Sequence, residues 1–118
     1  MQSNKRTVGA IHEKKAGQYL ETQGYTILDY NFYSRNGEID IVARDGEYLV
    51  FVEVKYRKSN VSGHPLEAVT VAKQKTISKT ALYYIKKYGL EYMPVRFDVV
   101  GIIDNQVTLI KNAFEFIL

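Results

Sequence analysis

Gly37-Glu38-Ile39-Asp40-Ile41-Val42-Ala43-Arg44-Asp45-Gly46-Glu47-Tyr48-Leu49-Val50-Phe51-Val52-Glu53-Val54-Lys55-Tyr56-Arg57 is the stretch that decides the reading. Two runs rich in Ile, Val, Tyr and Phe flank Asp45-Gly46, a pair with the chemistry of a two-residue β-hairpin turn. Side chains alternate across a strand, so Glu53 and Lys55 share one face. With Asp45-Gly46 as the turn, Arg44 faces Glu47 and, counting back, Asp40 faces Phe51. Glu53 is then the diagonal neighbour of Asp40, roughly 7–8 Å away between backbones, within reach for two carboxylates converging on one ion. A bulge at the turn shifts that register.

In the second run Val50, Val52 and Val54 take one face, and Leu49 and Phe51 precede Glu53 and Lys55 on the other. Apolar residues on both faces describe a central strand covered from both sides. Charges at the end of such a strand lose part of their hydration and need a partner or a metal. A plain cross-strand ion pair, Lys55 with Glu53 or Glu38, meets the same need. On spacing alone the two accounts stand level.

Working outward, residues 25–33 form another strand-like run, separated from 38–44 by the turn pair Asn36-Gly37. Residues 25–57 therefore read as an antiparallel meander. Before it, Val8, Ile11, Ala16, Tyr19 and Leu20 recur at helical spacing over 8–24, and Gly24 is placed to cap the C-terminus. A polar stretch over 58–65 follows the meander. The helical period then returns over 66–88 through Leu66, Val69, Ile77, Ala81, Tyr84 and Tyr88, with Gly89 as its stop. Residues 93–103 are a further strand, and Asp104-Asn105 turns the chain into a short last strand over 107–111. Helix, three strands, helix, strand, strand describes an α/β fold with a mixed sheet flanked by helices.

Each helix carries polar residues near its apolar stripe. Glu13 borders the stripe of the first helix, where a solvated flank residue is the ordinary reading. Lys73 and Gln74 fall inside the stripe of the second, where a snorkelling lysine and a backbone-satisfied glutamine are ordinary. Lys75, Lys79 and Lys86 lie opposite and serve solvation.

The 118 residues fit one domain, expected to span 1–118 with a flexible terminus over 1–7. No apolar run is long enough for a membrane and no apolar segment follows Lys5-Arg6, so neither a membrane partner nor a secretory signal is expected. The chain contains no cysteine, which removes disulfides, thiolate metal sites and cysteine nucleophiles and fits a cytoplasmic protein. A net charge of +3 favours polyanionic partners. Ten tyrosines and five phenylalanines offer rings for stacking on bases, although burial tendencies favour most of them as core. Phosphate-loop, dinucleotide, HExxH and Gly-x-Ser-x-Gly patterns are all missing, and His12 and His64 read as surface or loop residues.

What remains is oxygen-donor metal chemistry. Magnesium takes hard oxygen ligands and keeps several waters, so two or three carboxylates suffice. A bound ion can acidify a water and hold a phosphate oxygen, while a neighbouring lysine stabilises developing negative charge. Asp40, Glu53 and Lys55 supply these groups.

An Asp followed by Glu-x-Lys on the next strand of a hairpin, with a helical Glu ahead of them, resembles the PD-(D/E)xK nuclease superfamily. The fuller run, 37–43 with 51–57, is similar to the YraN-type family of small bacterial endonuclease-like proteins, related to archaeal Holliday junction resolvases. Pro65-Leu66-Glu67-Ala68-Val69, Lys73-Gln74-Lys75, Arg96-Phe97-Asp98-Val99 and Asn112-Ala113-Phe114 match the same pattern, so the resemblance spans residues 8–116. It implies a restriction-endonuclease-like αβββαβ core, with Asp40 and Glu53 as ligands of Mg2+ or Mn2+ and Lys55 as the catalytic lysine. It also implies Glu13 as a further acidic, metal-binding residue and Gln74 as the polar residue given by the second helix. DNA is the implied partner, branched or structured DNA among its forms, and the resolvase kinship implies a homodimer. Two positions depart from the pattern. Ile39 stands where the superfamily's eponymous proline is found, and His12 replaces the glycine usual before the helical Glu. Three functions follow: a metal-dependent DNA endonuclease, a non-cleaving nucleic-acid-binding module of the same fold, or a domain whose Glu53–Lys55 contact is an incidental ion pair.

Overall fold

The structure is a computed structural model that describes residues 5–58 and 68–118. Its elements are α1 (Lys5–Thr22), β1 (Thr26–Ser34), β2 (Gly37–Asp45), β3 (Tyr48–Arg57), α2 (Val71–Tyr88), β4 (Val95–Ile103) and β5 (Gln106–Phe114). The order matches the one expected, with α1 beginning at Lys5, ahead of the periodic run. The fold is α/β, with an αβββαβ core extended by β5.

The five strands lie in chain order in one sheet. β1–β2 and β2–β3 pair antiparallel, β3–β4 parallel and β4–β5 antiparallel. A parallel pair cannot be closed by a tight turn, and α2 lies in the crossover between β3 and β4. One helix covers each face. Ile39, Val42, Leu49, Phe51, Phe97 and Val99 pack with Ile77, Ala81, Tyr84 and Ile85 of α2. Ile41, Ala43, Val50, Val52, Val100 and Ile102 pack with Ala16 and Leu20 of α1. β3 is thus central and covered on both faces, as its two apolar faces implied.

Local chemistry sets the helix ends. Thr70 is extended, and its side chain accepts the Lys73 N–H at 3.1 Å, so α2 begins at Val71. The earlier start expected at Leu66 lies outside the described residues, as do His64, Pro65 and residues 1–4. Gly89 closes α2 with φ 65°, a left-handed cap, and its N–H donates to the Ile85 carbonyl. Close approach of α1 to the sheet depends on Gly17, because the Tyr30 ring occupies the place a Cβ would take.

β5 is longer than its expected span of 107–111. A bulge carries it onward: Asn112 adopts φ 52°, and its N–H donates to Asp98 at 3.0 Å. Asp98 is fully buried and is held twice by Arg96, at 2.9 and 3.0 Å. Tyr25 donates to it at 2.6 Å. Arg96 also reaches Asp45 at 2.7 Å, beside Lys111 at 3.4 Å, and these cations hold the Asp45 carboxyl below its ordinary pKa. This network ties the start of β1, the β2–β3 turn, β4 and β5 into one unit.

The rings depart from expectation. Tyr25, Phe51, Tyr84 and Phe97 are buried, but Tyr33, Tyr48, Tyr56, Tyr83, Tyr88, Tyr92 and Phe116 are exposed. Several of the exposed rings lie on other rings rather than in the core. Tyr83 packs on Phe32 and Tyr88 on Tyr84.

Candidate active site

The site grows from the β2–β3 hairpin, whose register differs from the one expected. Asp45 pairs with Tyr48 and Arg44 with Leu49, so Gly46-Glu47, rather than Asp45-Gly46, occupies the turn. Asp45 is drawn into the strand by its ion pair with Arg96, and Gly46 supplies the positive φ, 61°, at the first central position. The shift moves every cross-strand partner by two residues. Asp40 therefore lies across from Glu53 instead of Phe51, one step beyond the last paired residues, Ile41 and Val52.

The ladder ends there because Asp40 takes over one of its donors. Val54 N–H donates to Asp40 Oδ2 at 2.8 Å. Strand alternation also breaks at this level. Ile39 packs on the α2 side and Ile41 on the α1 side, with Phe32 and Tyr30 of β1 divided in the same way around Asn31, which adopts φ 54°. The Asp40 carboxyl is consequently aimed along the sheet toward β3.

Asp40 and Glu53 are 8% and 5% exposed, so two acidic groups share a nearly dry place. Asp40 comes within hydrogen-bonding reach of both Glu53 and Glu13. Such contacts between carboxyls require a proton. Burial, then the charge of Glu53, pushes the Asp40 pKa up to about 9 against the opposing effect of the Val54 N–H. Burial also raises the Glu13 pKa, against hydrogen bonds with Asn31 and Asp40, while Glu38 and Glu53 add to the rise.

Glu53 has two cations. Lys55 Nζ lies 3.2 Å from Oε2 and Lys73 Nζ 3.7 Å from the same oxygen. Gln74 is committed elsewhere, its Nε2 donating to the Val69 carbonyl at 3.0 Å, and Lys73 is the α2 side chain in contact with Glu53. The structure brings Asp40, Glu53 and Glu13 together, with Lys55 on Glu53, and Glu13 is thereby more than the solvated flank residue its place on the helix suggested. Asn31 had not been singled out; a lone Asn between Tyr30 and Phe32 was its signal, since Asn is depleted in strands and tolerates positive φ. His12, read as a surface or loop residue, lies half-buried in α1. Its ring stacks on Tyr56 at 3.6 Å, one position from Glu13.

The profile of the family described as "Uncharacterised protein family UPF0102" matches residues 12–102, from the His12–Glu13 pair through most of β4. The chain belongs to this family. A UPF0102 protein of Lachnoclostridium phytofermentans is 51% identical over 95% of this chain and 96% of its own length. UPF0102 proteins of Thermodesulfovibrio yellowstonii, 49% identical over 91% and 95%, and Aliivibrio salmonicida, 46% identical over 93% of each, are similar over the same extent.

In this UPF0102 chain the donor set suits a hard divalent cation. Asp40, Glu53 and Glu13 offer only carboxylate oxygens. Glu13 Oε1 is buried with no hydrogen-bond partner among the described residues, a costly arrangement that a cation would relieve. Among those residues no three acidic or histidine side chains stand in ready-made ligand geometry, and Glu53 is neutralised by its two lysines. The donor types suit the ion, and its binding there would need Glu53 freed from the lysines.

Proposed function

We propose that the chain is a metal-dependent phosphodiesterase acting on DNA. The observation that carries this reading is the burial of Asp40 beside Glu53 at the end of the β2–β3 ladder, with Lys55 on the Glu53 carboxylate. Placing like charges together in a dry site costs stability, and a fold that needed only an ion pair has no use for the second and third carboxyls.

Asp40, Glu53 and Glu13 are the residues that would hold Mg2+ or Mn2+. Such an ion, when bound, supplies an acidified water and charge for a phosphate oxygen. The chain's own residues do the rest. Val54 N–H fixes the rotamer of Asp40, and Asn31 restrains Glu13. Lys55, on a central strand, would hold negative charge that develops on the reacting phosphate, where a fixed cation contributes most.

The test is a cleavage assay with Mn2+ or Mg2+ on duplex, single-stranded, flap and four-way DNA. A second reading, a DNA-binding module that does not cut, draws on the two lysines that already neutralise Glu53. Salt-dependent binding to DNA with no cleavage of any form decides for it.

A further inference from the structure

Glu53 Oε2 has more positive charge around it than a simple ion pair needs. Lys55 projects from the same strand, two residues on, and sits 3.2 Å away. Lys73 approaches from the first turn of α2 at 3.7 Å, a contact too long for a good hydrogen bond and coulombic in character. The Lys73 side chain is also the more open of the two, 37% exposed against 27%. Its backbone is nevertheless fixed, because Thr70 caps the Lys73 N–H. The ammonium therefore rests on a long flexible stem with a firm base and a free path to solvent. Its neighbour Gln74 is tied down at Val69 and cannot trade places with it.

We propose that Lys73 is an exchangeable counter-ion. It neutralises Glu53 in the metal-free protein, and it transfers to a phosphate oxygen of DNA when a divalent cation takes Glu53. The proposal rests on the metal-dependent reading above. A cation on Glu53 cancels the attraction that holds Lys73 and sets two positive charges close together. The phosphodiester of an incoming strand then supplies the anion that Lys73 has lost. A fixed structural pair would keep Lys73 on Glu53 in both states.

The two accounts differ in sign and in metal dependence. Removing the ammonium deletes a competitor for Glu53, so Lys73→Met should bind Mn2+ about 1.5- to fivefold more tightly by calorimetry without DNA, the range of a part-exposed ion pair. DNA affinity should move the other way. In a Lys55→Ala background, chosen because it should prevent cleavage, adding Lys73→Met should lower the slope of log affinity against log salt by about 1 with Mn2+ present. With chelator the slope should not change, since Lys73 is then on Glu53. Lys73→Arg keeps the charge and should restore the slope.

Equal Mn2+ affinity in the parent and Lys73→Met overturns the exchange, as does a slope change of the same size with and without Mn2+. If the parent binds no Mn2+, the metal-dependent reading falls and takes the exchange with it. If the parent binds Mn2+ and cuts DNA but Lys73→Met alters neither titration, the exchange alone falls.

Discussion

Asp40 accepts the Val54 N–H at 2.8 Å, a donor that would otherwise face the next rung of the β2–β3 ladder. One hydrogen bond thus does two things. It opens the sheet beside Glu53, and it fixes a carboxyl whose burial raises its own pKa. The hairpin is strained electrostatically at the point where its hydrogen bonding stops.

Stability should therefore fall with pH in the absence of metal. The folded pKa of Asp40, about 9, lies above its ordinary value near 3.8. The folded state favours the protonated acid, so its stabilising contribution is complete below the ordinary value and is lost as pH rises toward 9. Asp40→Asn keeps an acceptor for Val54 and cannot ionise. In chelator it should be more stable than the parent by about 1–3 kcal/mol near pH 8, the scale of one uncompensated buried group, with a smaller gap at pH 5. Urea titrations at both pH values measure this. Parallel stability curves would show that the Asp40 pKa is not raised in the folded state.

Divalent cations should reverse the penalty. A ligand that binds only the folded state stabilises it by mass action, by about 2.7 kcal/mol at a hundred times its dissociation constant. Thermal melting should rise across a millimolar Mn2+ titration and stay flat for Asp40→Ala. A parent that melts at one temperature throughout holds no cation in this site.

The polar network at the other end of the hairpin should be purely structural. Arg96 is 13% exposed, and Asp98, fully buried, takes two of its hydrogen bonds. Asp98→Ala leaves a half-buried guanidinium short of one partner and frees the Asn112 N–H, so it should destabilise by about 3–5 kcal/mol. Equilibrium unfolding checks the size. An effect under roughly 1 kcal/mol, the scale of an exposed pair, would mean that Asp45 and Tyr25 suffice to hold Arg96.

The element order, the two-sided burial of β3 and the grouping of Asp40, Glu53, Lys55 and Glu13 were all legible in the sequence. The element order and the burial of β3 follow from residue type and period, which local chemistry sets, whereas Glu13 was implied by the family resemblance alone, its periodicity marking an ordinary solvated flank. The hairpin register was not, because Asp45-Gly46 is a good turn pair in isolation. Arg96, half a chain away, pulls Asp45 into the strand and moves the turn along by one residue. Lys73 was visible only as a charge within an apolar stripe. Nothing in α2 itself tells that its ammonium ends at Glu53, since that depends on how the crossover lays the helix on the sheet. The resemblance pointed to Gln74, whereas backbone bonding at Val69 leaves the contact with Glu53 to the lysine beside it.

Cleavage itself separates the competing functions, and Lys55 is the residue on which it should turn. Lys55 touches Glu53, while burial and the charge of Glu53 are the main causes of the raised Asp40 pKa. Replacing the lysine should leave the acidic cluster intact for a metal. If its ammonium acts on charge that appears only as the phosphate reacts, Lys55→Ala loses the rate and keeps the complex. The expected loss is about a hundredfold or more in kcat, the usual cost of one fixed electrostatic contact to a transition state. DNA affinity with Mn2+ should change by only about one phosphate contact. Asp40→Asn should abolish cleavage as well, but through the metal, so its manganese titration should fail where that of Lys55→Ala succeeds. Matched losses of binding and rate in Lys55→Ala would make the lysine a DNA contact and nothing more. Undiminished cleavage would assign the chemistry to another group, and Lys73 is the cation nearest to hand.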